Sequence, residues 1–122
     1  MWSFKVISDT IDMNDMIMMQ MEETVPVNYG GVQKMLIEWH YSGDSQLSLS
    51  QCANVRVTFW CAAPQVFAYS DLKEQDGNLY AFVDTRITGR GRMSMKVECD
   101  VPDELYGWKP DVCVAPTNVT VR

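Results

Sequence analysis

Polar and apolar residues trade places most regularly between Met93 and Cys99. Met93, Met95, Val97 and Cys99 fall on one phase, and Ser94, Lys96 and Glu98 on the other. Strict period-two alternation marks a strand with one buried and one solvated face. Gly89 and Gly91 punctuate its start, and Val101-Pro102-Asp103 closes it, because proline cannot donate to a sheet ladder. The same alternation sets Trp2, Phe4 and Val6 against Ser3 and Lys5, and Met35, Ile37, Trp39 and Tyr41 against Lys34, Leu36, Glu38 and His40. It returns with Val55, Val57, Phe59 and Cys61 against Arg56, Thr58 and Trp60, and with Leu79, Ala81 and Val83 against Tyr80 and Phe82.

Asn28-Tyr29-Gly30-Gly31, Ser42-Gly43-Asp44-Ser45 and Asp76-Gly77 read as turns between these runs. A short irregular strand is expected to begin with Leu47 and Leu49, and brief strands over 65–69, over 111–115 and over 118–121, the last two separated by Pro116. Asp103 to Lys109 reads as a loop presenting Tyr106 and Trp108. Together these make about eight strands with turn signals every 8–12 residues or so and no clear helix. The predicted fold is all-β, an antiparallel two-sheet sandwich, immunoglobulin-like or a small jelly roll, with 1–122 as a single domain.

One segment resists the alternation. Met13, Met16, Met18, Met19 and Met21 hold five of the nine methionines. As a helix capped by Asp9 or Asn14, the segment would present Ile11, Met16 and Met19 as a stripe. As a loop and strand, it would be apolar on both faces, and this reading agrees better with a β context. Methionine is flexible and polarizable, which suits either a loosely packed core or an adaptable contact surface. Met13, Met16, Ile17, Met18 and Met19 are therefore candidate partner-binding residues. Trp60, on the polar phase of its strand, joins them with Tyr106 and Trp108.

Composition narrows the function classes. A net charge of −6 argues against a nucleic-acid partner, since Arg86, Arg90 and Arg92 sit between Asp84 and Glu98 without a wider basic face. No apolar run reaches the length of a membrane span, and MWSFKVISDT lacks the form of a signal peptide, so a cytosolic site of synthesis is expected. In that compartment Cys52, Cys61, Cys99 and Cys113 are expected as reduced thiols. No CxxC occurs, and the single histidine, His40, has no cysteine near it in sequence. Asp9, Asp12 and Asp15 lack the spacing of a calcium loop. No nucleophile–base motif is present, so neither catalysis nor a cofactor or metal is expected.

The stretch from Asn54 to Trp108 carries a resemblance. Asp76, Gly77, Leu79, Ala81 and Val83, then Gly89, Gly91 and Met93, then Val101, Pro102 and Asp103 form a D-G-x-L-x-A-x-V strand followed by a G-x-G strand ending at Val-Pro-Asp. This pattern resembles the N-terminal module of phage baseplate upper proteins and related fibre or head-appendage proteins, in the versions found in phages of gut Bacteroidetes. The resemblance implies a non-enzymatic virion structural protein made in the host cytoplasm. Such a subunit would decorate a capsid, anchor a head fibre or serve as an adapter, in contact with other virion proteins and in several copies. A tail or baseplate adapter is the alternative within that class. A carbohydrate-binding sandwich, stacking sugars on Trp60, Tyr106 and Trp108, is the alternative outside it.

Overall fold

The computed structural model describes residues 2–8, 24–42 and 47–122. The described residues form nine strands: β1 Trp2–Ser8, β2 Val25–Val27, β3 Val32–Tyr41, β4 Ala53–Trp60, β5 Pro64–Ala68, β6 Lys73–Gln75, β7 Asn78–Asp84, β8 Gly91–Asp103 and β9 Gly107–Val121. A single helical turn, α1 (Thr85–Thr88), links β7 to β8, with the Asp84 carboxylate accepting the Arg86 N–H at its start. The fold is all-β, as the alternation predicts. The Met13–Met21 segment, with its strand-or-helix question, lies outside the described residues.

Hydrogen-bonded neighbours run β5-β4-β8-β9-β1-β3-β7-β6, with β2 added to β9. Within each half, β5-β4-β8-β9 and β1-β3-β7-β6, every pairing is antiparallel. The joints are not. Val6 on β1 pairs parallel with Thr117 on β9, and Val25–Val27 runs parallel to Val119–Val121. The strands therefore form one curled mixed sheet, which departs from the expected arrangement of two purely antiparallel sheets.

The cause lies in β9, which the alternation divides at Pro116. It is one strand of 15 residues that pairs with β8 on both sides of an irregularity and gains parallel partners there. Ser94 pairs with Pro116 but Arg92 with Thr120, so β9 bulges opposite Met93. The Thr117 hydroxyl donates to the Met93 carbonyl at 2.9 Å and accepts the Val119 N–H at 3.2 Å, while Asn118 Oδ1 accepts the Ser8 N–H at 2.9 Å. These side chains replace ladder bonds at the bulge, where β9 gains β1 and β2 as parallel neighbours while still pairing with β8 through Val121. The far ends of the sheet also approach each other: Gln65 Oε1 on β5 accepts the Asp84 N–H at 2.8 Å.

The curl encloses a shared core. Trp2, Val6, Met35, Ile37, Leu79, Ala81 and Val83 from one half pack with Val57, Phe59, Phe67, Met93, Met95 and Val97 from the other. Each is on the apolar phase of its strand. β8 continues past Val101 to Asp103, beyond the point where the sequence predicts its end. Pro102 is tolerated there because the pairing of β4 with β8 stops at Asp100.

Candidate protein-contact surface

The inward phase of β5-β4-β8-β9 fills the core, so the even-numbered residues of β4, β8 and β9 as far as Pro116 lie on the opposite side in registered rows, with Thr58 alone among them buried. Trp60 lies between Pro64 and Ser94, and Ser94 is opposite Pro116. Thr58 lies between Val66 and Lys96, and Lys96 is opposite Val114. Arg56 lies between Ala68 and Glu98, and Glu98 is opposite Val112. Three valines on this outer face are more than half exposed: Val66 at 54%, Val112 at 56% and Val114 at 61%. Between them runs a polar row along β8 in which Lys96 Nζ and Glu98 Oε1 are 3.2 Å apart. Asn54 Nδ2 donates to Asp100 Oδ2 at 2.8 Å at the row's end.

Toward the hairpin the face narrows to β8 and β9 alone. Asp103 pairs with Gly107, leaving a three-residue tip of Glu104, Leu105 and Tyr106. Gly107 adopts φ +95°, the left-handed conformation such a tip requires at its exit. Asp103 Oδ1 accepts the N–H groups of Tyr106 and Leu105, each at 2.9 Å, and these bonds hold its carboxyl below the ordinary range. The loop expected over 103–109 is thus a tight hairpin end. It displays Leu105, fully exposed, with Tyr106 at 69% and Trp108 at 54%.

The sequence-predicted contact residues fall into three groups. Met13, Met16, Ile17, Met18 and Met19 lie outside the described residues. Tyr106 and Trp108 come together at the hairpin tip. Trp60 is half-buried and level with Ser94, whereas Trp108 pairs with Pro102. Eight residues of β8 separate those rows, roughly 26 Å of strand. One sugar platform built from Trp60, Tyr106 and Trp108 together is therefore not formed. The exposure of Val112 and Val114 is not legible in the sequence, because Val-Cys-Val-Ala is apolar on both phases, and Leu105 stands alone in a turn with no phase to read.

The edge of β9 is closed to strand addition. Pro110 has no N–H, and Asp111 Oδ1 accepts the Val112 N–H at 2.9 Å. What this region offers a partner is side chains.

Among the described residues, the polar groups that could suggest catalysis do not converge. Ser3 and His40 are cross-strand neighbours on the exposed phase of β1 and β3, beside Lys5 and Glu38. The Ser3 hydroxyl, however, donates to the His40 carbonyl and not to its ring. The thiols are held neutral: burial pushes Cys52, Cys61 and Cys113 up, and Cys99 reaches about 12 through burial and the adjacent Cys52 thiol. No group of three or more His, Cys, Asp or Glu side chains among the described residues is placed to hold a metal ion.

No known protein family matches this chain, and no curated protein matches it either.

Proposed function

We propose that this chain is a non-enzymatic structural subunit of a phage virion, working through protein–protein contacts made by the β8–β9 hairpin and the sheet face behind it. The observation that carries this reading is the hairpin tip. Leu105, Tyr106 and Trp108 are held in water by a rigid turn whose backbone is tied to Asp103. Ordering three large apolar side chains in solvent has no benefit to an isolated domain, whereas aromatic anchors of this kind carry most of the binding energy at protein interfaces. The resemblance over 54–108 supplies the virion context, with capsid decoration or head-fibre anchoring as the role. A tail or baseplate adapter is the neighbouring role. The two antiparallel halves, which close on one core, are read as the leaves of a sandwich joined at Val6 and Thr117.

Electron microscopy of the particle with which the chain copurifies tests this directly. The expected result is density for the chain at regular positions on the virion, with the hairpin tip inside a contact. The carbohydrate reading keeps one supporting feature, the adjacent Tyr106 and Trp108. A glycan array on the isolated chain separates the two: specific binding abolished by Trp108→Ala overturns the structural reading.

A further inference from the structure

We infer that the outer face of β4-β8-β9 is a homotypic interface, taking a second copy of this chain across a two-fold axis that crosses the strands at the Val57–Val97–Cys113 row. This inference rests on the reading that the face is a contact surface and names the partner.

The argument begins with register. Val57 pairs with Val97, and Val97 with Cys113, so these three residues lie on one line across the sheet. A closed dimer with one interface must be self-complementary about its axis, each residue meeting its own symmetry mate's neighbour. Rotation about this line exchanges position 96 with 98, 112 with 114, and 110 with 116. Lys96 then faces Glu98 of the partner subunit, and Glu98 faces Lys96 of the partner subunit. In the same operation Val112 meets Val114 of the partner subunit, and Pro110 meets Pro116 of the partner subunit. Opposite charges meet along β8 and apolar residues along β9, while Arg56 falls on Thr58, Trp60 on Asn54 and Asp100 on Ser94, so no like charges are opposed.

Net charge selects the same face. The chain carries −6, so two copies repel overall. On this face Arg56 and Lys96 balance Glu98 and Asp100, two cations against two anions. The three valines and the half-covered tryptophan leave apolar surface on the order of 300 Å² on either side of the β8 row, at the low end of the range for a monomer's largest patch. Sheets pack face to face about 10 Å apart, a spacing that valines and the stems of Lys96 and Glu98 can fill. Pairing of β9 edges, the other route to a β-protein dimer, is blocked by Pro110 and by the Asp111–Val112 bond.

Sedimentation equilibrium of the full chain, from about 1 to 500 µM, is the test, with a thermal melt of each variant as the folding control. The expected result is a dimer that Val114→Glu weakens at least tenfold while the melt stays put. Lys96→Glu and Glu98→Lys each weaken it about tenfold by placing like charges across the axis. The double swap K96E/E98K returns it to within about threefold, because the axis exchanges those two positions. A chain that stays monomeric, a dimer indifferent to Val114→Glu, or a double swap that fails to restore would each overturn the proposal. So would a Val114→Glu variant that remains monomeric and melts early, since the face would then be covered from within its own chain. Tyr106→Ser with Trp108→Ser leaves self-association unchanged. Their effect on joining a particle reports on the proposed function alone, so either reading can fail without the other.

Discussion

Val97 is 1% exposed at the centre of β8, with Val57 on one side and Cys113 on the other. Val97→Asp would bury a carboxylate with no partner, and equilibrium denaturation should show a loss of roughly 3–5 kcal/mol. Gly89 is constrained differently. Its φ is +79°, and an added Cβ would stand 3.1 Å from the Ala62 Cβ, so Gly89→Ala should cost about 1–2 kcal/mol through strain and crowding together. The buried Cys99 sets a pH limit. The Cys99 thiol has its pKa pushed up to about 12 from 9.0, so the folded chain keeps a proton that the unfolded chain surrenders first. Its contribution is fully present below pH 9 and is lost as the pH rises toward 12. The melting temperature should therefore hold steady through neutral pH and fall above 9, and Cys99→Ser should flatten that fall. An unchanged alkaline slope in Cys99→Ser would place its origin elsewhere. The burial of Met93, Met95, Val97 and Cys99 was legible from the alternation alone, because each odd residue faces one shared core.

The β8–β9 hairpin was only half legible, for a definite reason. The β6–β7 turn announces itself: Asp76 and Gly77 both adopt positive φ, at 53° and 80°, as the Asp-Gly pair predicts for a two-residue connection. The β8–β9 connection is instead surrounded by Pro102, Pro110 and Pro116, which ordinarily argue against strand. Each proline is accommodated by a pairing that sequence does not display. Pro102 lies beyond the reach of β4, Pro116 opens the bulge, and Pro110 lies where β9 pairs only with β8 among the described residues. The parallel joints were hidden likewise, since nothing in Val-Pro-Val or in Val6 states the direction of a neighbour. Asp103 is the hairpin's fastener. Asp103→Ala should speed amide exchange at Leu105 and Tyr106 at least tenfold while leaving Met95 and Val97 protected. Acid should act similarly. The Asp103 carboxyl is held below its ordinary 3.8, so its contribution is present above that pH and is lost as the pH falls through the lower folded value. Loosening of the tip confined to pH below about 3.8 is the expected outcome, and NMR of the Leu105 and Tyr106 amides would follow it.

At the scale of the whole molecule, one curled sheet closes its inner face on a core and leaves its outer face and one stiff hairpin in water. The proposed function rests on that division: the inside supplies stability, and the outside presents the side chains through which contacts are proposed. Trp60, Tyr106 and Trp108 were legible as outward aromatics, but their grouping was not, because roughly 26 Å of strand separates Trp60 from the hairpin tip. Loss of the tip should leave the fold intact. Leu105→Ser with Tyr106→Ser and Trp108→Ser should shift the melt by no more than a few degrees, since all three side chains lie outside the core. The most direct measurement of the central claim is oxidative footprinting of Tyr106 and Trp108 in the purified particle and in the isolated chain. Contact through the hairpin predicts that both residues react at least tenfold more slowly in the particle, with Tyr29 as an exposed internal reference. Equal reactivity in the two states would contradict it.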